Sequence, residues 1–134
     1  MRTMALDMGD VWVGTAISDG LGLTCRPLRT VKRPELEAFL RDTFAEYGVE
    51  QVVVGLPTTM SGTESDQTRK TRAVFDRLQK FFSAQQWYLI DERLSSHQAL
   101  EHQRDVKKQR RTPQSKQESH SIAAAFILQD FLRK

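Results

Sequence analysis

Hydrophobic positions along this chain occur in short runs of two kinds, and their spacing predicts an element order. Residues 2–7 and 13–18 are apolar runs separated and followed by turn formers, which predicts two adjacent strands. Asp19-Gly20 and Gly22 then predict a tight turn into a third strand over residues 23–28, so the N-terminal part reads as a three-strand meander. From Pro34 the spacing becomes helical. Leu36, Phe39, Leu40, Phe44 and Tyr47 recur on one face, with Pro34 suited to the first helical position and Gly48 to the C-terminal stop. Val52-Val53-Val54, followed by Gly55 and Pro57, predicts a strand apolar on both faces, as expected where helices cover a sheet on two sides.

Residues 58–63 read as a loop. Thr63-Glu64-Ser65-Asp66 has the pattern of a capping box, opening a helix with an apolar stripe of Val74, Leu78 and Phe81. Residues 87–90 form a short predicted strand ending at Asp91-Glu92, and Ser95 or Ser96 suits the cap of a helix running toward Gln103. Ser115 with Glu118 three residues later predicts a second capping box. It places His120 near a helix start, facing inward with Ala124, Ile127, Leu128 and Phe131. The expected fold class is α/β: a mixed five-stranded sheet, antiparallel in its N-terminal meander and parallel afterwards, with helices on both faces.

Composition narrows the classes. A chain of 134 residues with 39% hydrophobic content suits a single domain over residues 1–134 and is too short for two. No stretch approaches the roughly 20 apolar residues of a membrane helix, and Asp7 interrupts the N-terminal apolar run, so the expectation is a cytoplasmic protein without a membrane partner. The lone Cys25 excludes an internal disulfide and a thiolate metal site, leaving oxygen or imidazole donors and hard cations such as Mg2+ or Mn2+. Between residues 104 and 116, six basic residues (Arg104, Lys107, Lys108, Arg110, Arg111 and Lys116) stand against Asp105 alone. This local +5 within a total of +3 leaves the remainder at −2. Such a segment suits a polyphosphate partner, with a solvated charge run as an equally weighted reading.

Candidate chemistry gathers at strand ends. Asp7 ends an apolar strand beside Gly9, a glycine that lets a phosphate backbone approach, and Gly14 opens the next strand. Taken alone, Asp7 reads more simply as the start of a hairpin turn. Asp91 and Glu92 also stand at a strand end, and if the strands beginning at Met4 and Trp87 run alike, both acidic ends reach one edge of the sheet. A lone inward histidine is more often part of the core, but with two carboxylates nearby His120 becomes a third donor. Asp7, Glu92 and His120 together would cage two divalent ions about 4 Å apart, the arrangement used for in-line phosphodiester cleavage. Arg93 is a candidate phosphate contact, as is the Arg69-Lys70-Arg72 cluster, with surface solvation the even alternative. His97 and His102 are spaced badly for one helix face, and Trp12 reads as packing on its hairpin neighbour in preference to stacking on a base.

These pieces carry a family likeness over nearly the whole chain. Asp7-Met8-Gly9 to Gly14, Ala16-Ile17-Ser18-Asp19, Val53-Val54-Gly55-Leu56-Pro57, Met60-Ser61-Gly62-Thr63-Glu64, Asp91-Glu92-Arg93-Leu94-Ser95 and Ser121-Ile122-Ala123-Ala124 to Leu128 together resemble the YqgF/RuvX family. The resemblance implies an RNase H-like fold, kinship with Holliday-junction resolvases and a role in maturing the 5′ end of 16S rRNA. It sets the first catalytic aspartate on Asp7 and the strand-end acidic pair on Asp91-Glu92. The chain departs from the family pattern in three places. His120 stands where the family usually has aspartate, as in related resolvases that use histidine. Val11 or Trp12 replaces a basic residue, and Thr59 and Ser61 stand where asparagine and aspartate are usual.

The leading expectation is a metal-dependent nuclease on structured nucleic acid. Asp7, Glu92 and His120 are its catalytic and metal residues, and Arg93, Lys107, Lys108, Arg110, Arg111 and Lys116 its substrate contacts. Structured RNA and branched DNA both remain open as substrates, and a monomer or weak homodimer is expected. Two other readings compete. A sugar-kinase or actin-like ATPase also opens with D-x-G but needs two such domains. A nucleic-acid-binding module without catalysis would account for His120 and the missing basic residue.

Overall fold

Five strands form one mixed sheet in the order β3-β2-β1-β4-β5: β1 (Arg2–Met8), β2 (Trp12–Ser18), β3 (Cys25–Lys32), β4 (Val49–Leu56) and β5 (Gln86–Asp91). The computed structural model describes residues 1–9, 11–56, 66–91 and 113–133, and the side chains of residues 67, 91 and 113–118 lie outside that description. β2 runs antiparallel to β1 and β3, whereas β4 runs parallel to β1 and β5 parallel to β4. The expected division into an antiparallel meander and a parallel half is therefore present.

Three helices complete the described elements: α1 (Leu36–Tyr47), α2 (Asp66–Phe81) and α3 (Pro113–Leu132). α1 follows a 3-10 turn at Arg33–Glu35 with Pro34 at its start and ends on Gly48 in the left-handed conformation, the predicted punctuation. α1 and α2 cover one face of the sheet. Their Leu36, Leu40, Phe44 and Leu78 pack on Met4, Leu6, Val13, Ile17, Val52, Val54 and Trp87. α3 covers the other face, where Ala124, Ile127 and Leu128 meet Ala5, Ala16 and Val53. β4 is thus apolar on both sides because helices lie on both. Among the described residues no helix is long and apolar enough to cross a membrane.

Three expectations shift. The third strand begins at Cys25 and not at residue 23, leaving Leu23 75% exposed in a wider turn. The Asp19 carboxylate holds that turn by accepting from the backbone N–H groups of Leu23 (2.8 Å) and Thr24 (3.3 Å). Those bonds, Leu23's first, hold the Asp19 carboxyl below its ordinary pKa. On α2, Phe81 is 53% exposed beneath the Arg41 guanidinium, while Phe75 and, just past the helix end, Phe82 turn inward with Leu78 against Trp87. An arc through Phe81 and one through Phe75 that continues into Phe82 overlap there, and the Trp87 ring selects the second. Finally, α3 opens at Pro113, so Ser115 lies inside the helix and His120 two turns in. The predicted loop over residues 58–63, the cap at Thr63 and the helix toward Gln103 fall outside the described residues.

Candidate functional site

Asp7 stands one residue from the end of β1, in register with Gly14 of β2 and Gly55 of β4. Alternation along β1 puts Asp7 on the same face as Ala5, the face that α3 covers. Neither flanking position carries a side chain. The backbone of α3 fills the side over β2. A Cβ added at Gly14 would overlap the His120 carbonyl and come within 2.6 Å of the Ser121 nitrogen. Only a glycine at that point lets the helix backbone lie directly on the strand.

That close approach carries His120 to Asp7. Nδ1 of His120 is 3.8 Å from Oδ2 of Asp7, with the side chains 32% and 18% exposed. The distance is too long for a direct hydrogen bond and short enough for a shared ligand. Gly9 is part of the same packing: a Cβ there would meet the Trp12 carbonyl oxygen at 2.6 Å and the His120 ring at 3.3 Å. The Cβ direction at Gly9 is therefore occupied by protein atoms. The Gly9 N–H donates to the Trp12 carbonyl, 2.9 Å away, which closes the turn between β1 and β2.

The structure thus brings together two of the three residues expected to react, Asp7 and His120. Glu92 lies outside the described residues, as do Arg93, Lys107, Lys108, Arg110 and Arg111; Lys116 is in α3 but its side chain is not described. Among the described residues no group of three or more His, Cys, Asp or Glu side chains is poised for a metal. A carboxylate oxygen and an imidazole nitrogen, both partly exposed, nevertheless fit a hard or borderline divalent ion that takes its remaining donors from elsewhere. Trp12 behaves as expected of a hairpin aromatic, with Nζ of its cross-strand partner Lys32 5.6 Å from the ring centroid. Arg69 is paired with Asp66 on its own helix. A groove of about 570 Å³ between β3 and α3 is lined by Cys25, Pro27, Ala125 and Phe126 among others, and neither Asp7 nor His120 contributes to it.

Comparison with known proteins gives this geometry a context. A sequence model described as "RuvX: Holliday junction resolvase" matches residues 1–134. The chain belongs to the RuvX family. A Myxococcus xanthus protein named "Putative pre-16S rRNA nuclease" is 38% identical over 98% of this chain and 87% of its own length. Proteins of the same name from Streptococcus thermophilus and Rubrobacter xylanophilus are 37% and 34% identical, each over 98% of this chain and 97% and 91% of their own lengths. T. thermophilus RuvC, solved in complex with a Holliday junction substrate, superposes with a TM-score of 0.60 at 16% identity, covering 99% of this chain and 95% of that one. The RuvC likeness shows the shared RNase H-like fold. RuvX membership makes the chain a nuclease, a hydrolase of phosphodiester bonds whose substrate is nucleic acid, and brings divalent-metal dependence with it.

In the sequence Gly14 reads only as a strand opener. Its role in seating α3 leaves a signal that can be read afterwards: Ala5, Gly14, Ala16 and Gly55 are small residues sharing one face, opposite a face of Met, Leu, Ile and Val.

Proposed function

We propose that this RuvX-family chain cleaves precursor 16S rRNA near its 5′ end, using Asp7, Glu92 and, two turns into α3, His120 to hold Mg2+ or Mn2+ beside the ends of β1 and β5. The observation that carries the proposal is the approach of His120 to Asp7 across a strand pair kept open by Gly14. Support for Glu92 comes from the sheet. β5 lies two strands from β1 in parallel register, with Ile90 level with Gly55 and hence with Asp7 on the α3 side. In the sequence Glu92 stands two positions after Ile90, the period-two spacing, and Asp91 stands one.

A divalent ion supplies Lewis acidity toward a phosphoryl oxygen when bound. The chain's own residues do the positioning. Asp7 presents a carboxylate fixed by the β1 ladder, and the α3 backbone, seated on Gly14, aims the His120 imidazole at the same point. Rigid elements on both sides keep the two donors in place before substrate arrives, which is where positioning contributes to rate. Arg93, Lys107, Lys108, Arg110, Arg111 and Lys116 are the proposed substrate contacts, supported by their charge density. Branched DNA is the second reading, favoured by the resolvase description that the family carries.

One digestion tests both readings. Wild type and Asp7→Asn are given labelled precursor rRNA, single-stranded RNA and a four-way DNA junction with Mg2+ or Mn2+, and the products are mapped. The expected result is metal-dependent cleavage near the 16S 5′ end, abolished in Asp7→Asn at unchanged melting temperature and unchanged RNA binding. Undiminished cleavage by Asp7→Asn would sink the site. Binding without cleavage by wild type would leave only the non-catalytic module.

A further inference from the structure

The edge strand β3 concentrates positive charge that the basic segment after residue 103 does not account for. Residues 20–34 contain Arg26, Arg29, Lys32 and Arg33 and no carboxylate. Arg26, Arg29 and Lys32 are exposed and Arg33 is half-exposed. Among the described residues none of the four is held in a salt bridge. The flanking acids are Asp19, which accepts from the turn backbone, and Glu35, exposed just beyond Arg33.

Their placement ties them to the proposed site. Asp7, Gly14 and Thr30 are successive partners across β1, β2 and β3, so the end of β3 lies about 10 Å from Asp7, two inter-strand spacings away. Lys32, two residues beyond Thr30, is on the α3 side with Trp12, and the Trp12 ring beneath its ammonium keeps it there. Arg33 donates its backbone N–H to the Val11 carbonyl, anchoring the strand end to the turn beside Asp7. Arg26 and Arg29 pair with Ile17 and Thr15 and so leave the strand on the α1/α2 side. The charges therefore straddle the open edge, along about 20 Å of strand between Arg26 and Lys32. That length matches about six nucleotide steps of a duplex at about 3.4 Å each.

We infer that the β3 edge, through Arg26, Arg29, Lys32 and Arg33, is a second nucleic-acid-binding surface that tracks the phosphate backbone and leads the strand to Asp7. The inference rests on the nuclease reading for its substrate, but not on the basic segment beyond residue 103. The outward N–H groups of an edge strand add neutral phosphate donors to the four cations. A competing account is structural: charge, Pro27 and the bulge opposite Thr15 and Ala16 all protect a sheet edge from pairing with another chain. Edge protection predicts aggregation when the charges are removed and no change in nucleic-acid affinity.

The test is equilibrium binding of labelled precursor rRNA and of a four-way DNA junction, between 50 and 300 mM KCl, in the Asp7→Asn background. The combined variant Arg26→Gln, Arg29→Gln, Lys32→Gln, Arg33→Gln is expected to bind more than tenfold weaker at about 100 mM salt. Its log–log salt slope should be shallower by about 3, at about 0.7–0.9 for each phosphate that is no longer neutralised. The double variant Lys32→Gln, Arg33→Gln should show about half that change and serves if the quadruple variant aggregates. Arg41→Gln with Arg77→Gln, on α1 and α2 and away from the β3 edge strand, lowers net charge as much as the double variant and should leave the slope at the wild-type value. A wild-type slope and affinity in the double variant, or an equal loss in the helix control, overturns the inference. Cleavage by wild type, measured separately, reports on the nuclease reading alone.

Discussion

The two faces of the sheet are built on opposite principles. On the α1/α2 side the strands offer Met4, Leu6, Met8, Val13, Ile17, Val52, Val54 and Trp87, long side chains that hold the helices away and fill the gap. On the α3 side they offer Ala5, Gly14, Ala16, Val53 and Gly55, and a single helix settles close to the strands. The first face buries large apolar area, the main source of folding free energy. The second face buries less and instead fixes the distance between a helix and a strand end. Asp7 and His120 lie on the second. Stability and positioning are thereby separated onto opposite sides of one five-stranded layer.

Gly14→Ala should break the comparison most severely. The new Cβ meets backbone of α3, which cannot rotate away as a side chain would, so the expected loss is about 3 kcal/mol or more. Cleavage should vanish even under conditions where thermal melting shows the variant folded, because His120 is pushed off Asp7. Full activity in a folded Gly14→Ala protein would mean that the close seating of α3 is unnecessary.

Ala16 and Ile17 are neighbours that point to opposite faces, and both are buried. Ala16→Val overpacks the α3 side, with an expected cost of about 1–3 kcal/mol. The activity per folded molecule should fall as well, since α3 is displaced. Ile17→Val removes one methylene from the other side, with an expected cost of about 0.5–1.5 kcal/mol and no change in cleavage per folded molecule. Paired melting and single-turnover measurements decide the matter. Equal effects on activity from the two variants would show that both faces position the site alike.

The smallest effect concerns the turn before β3. The Asp19 carboxyl is held below its ordinary pKa by backbone donors, so it stabilises the fold fully above about pH 4 and loses that contribution as pH falls through its depressed value. Asp19→Ala should lower the melting temperature slightly at neutral pH, and the difference from wild type should shrink in acid below about pH 4. A difference that persists unchanged at low pH would assign the effect to something other than the carboxylate.

The hydrophobic pattern by itself determined most of the architecture. Apolar runs bounded by turn residues, helical spacing and capping boxes located all five strands and all three described helices, the Val52-Val53-Val54 run announced a strand covered on both sides, and Pro34 and Gly48 marked the ends of α1. Those features are local, set by side-chain direction and backbone preference within a few residues. The inward face of His120 on α3 was legible for the same reason, since its spacing to Ala124, Ile127 and Leu128 is fixed by helix geometry.

What only the tertiary structure decided are matters of contact between distant segments. The choice of Phe75 and Phe82 over Phe81 depended on where Trp87 lay, and the late start of β3 on the bonds made by the Asp19 carboxylate. The meeting of residues 7 and 120 depended on a helix backbone resting on a glycine 106 residues earlier than the histidine it carries. Spacing along a chain records which way a side chain points from its own element. It holds no measure of how far apart two elements come to rest, because that distance is set by the volume of whatever lies between them.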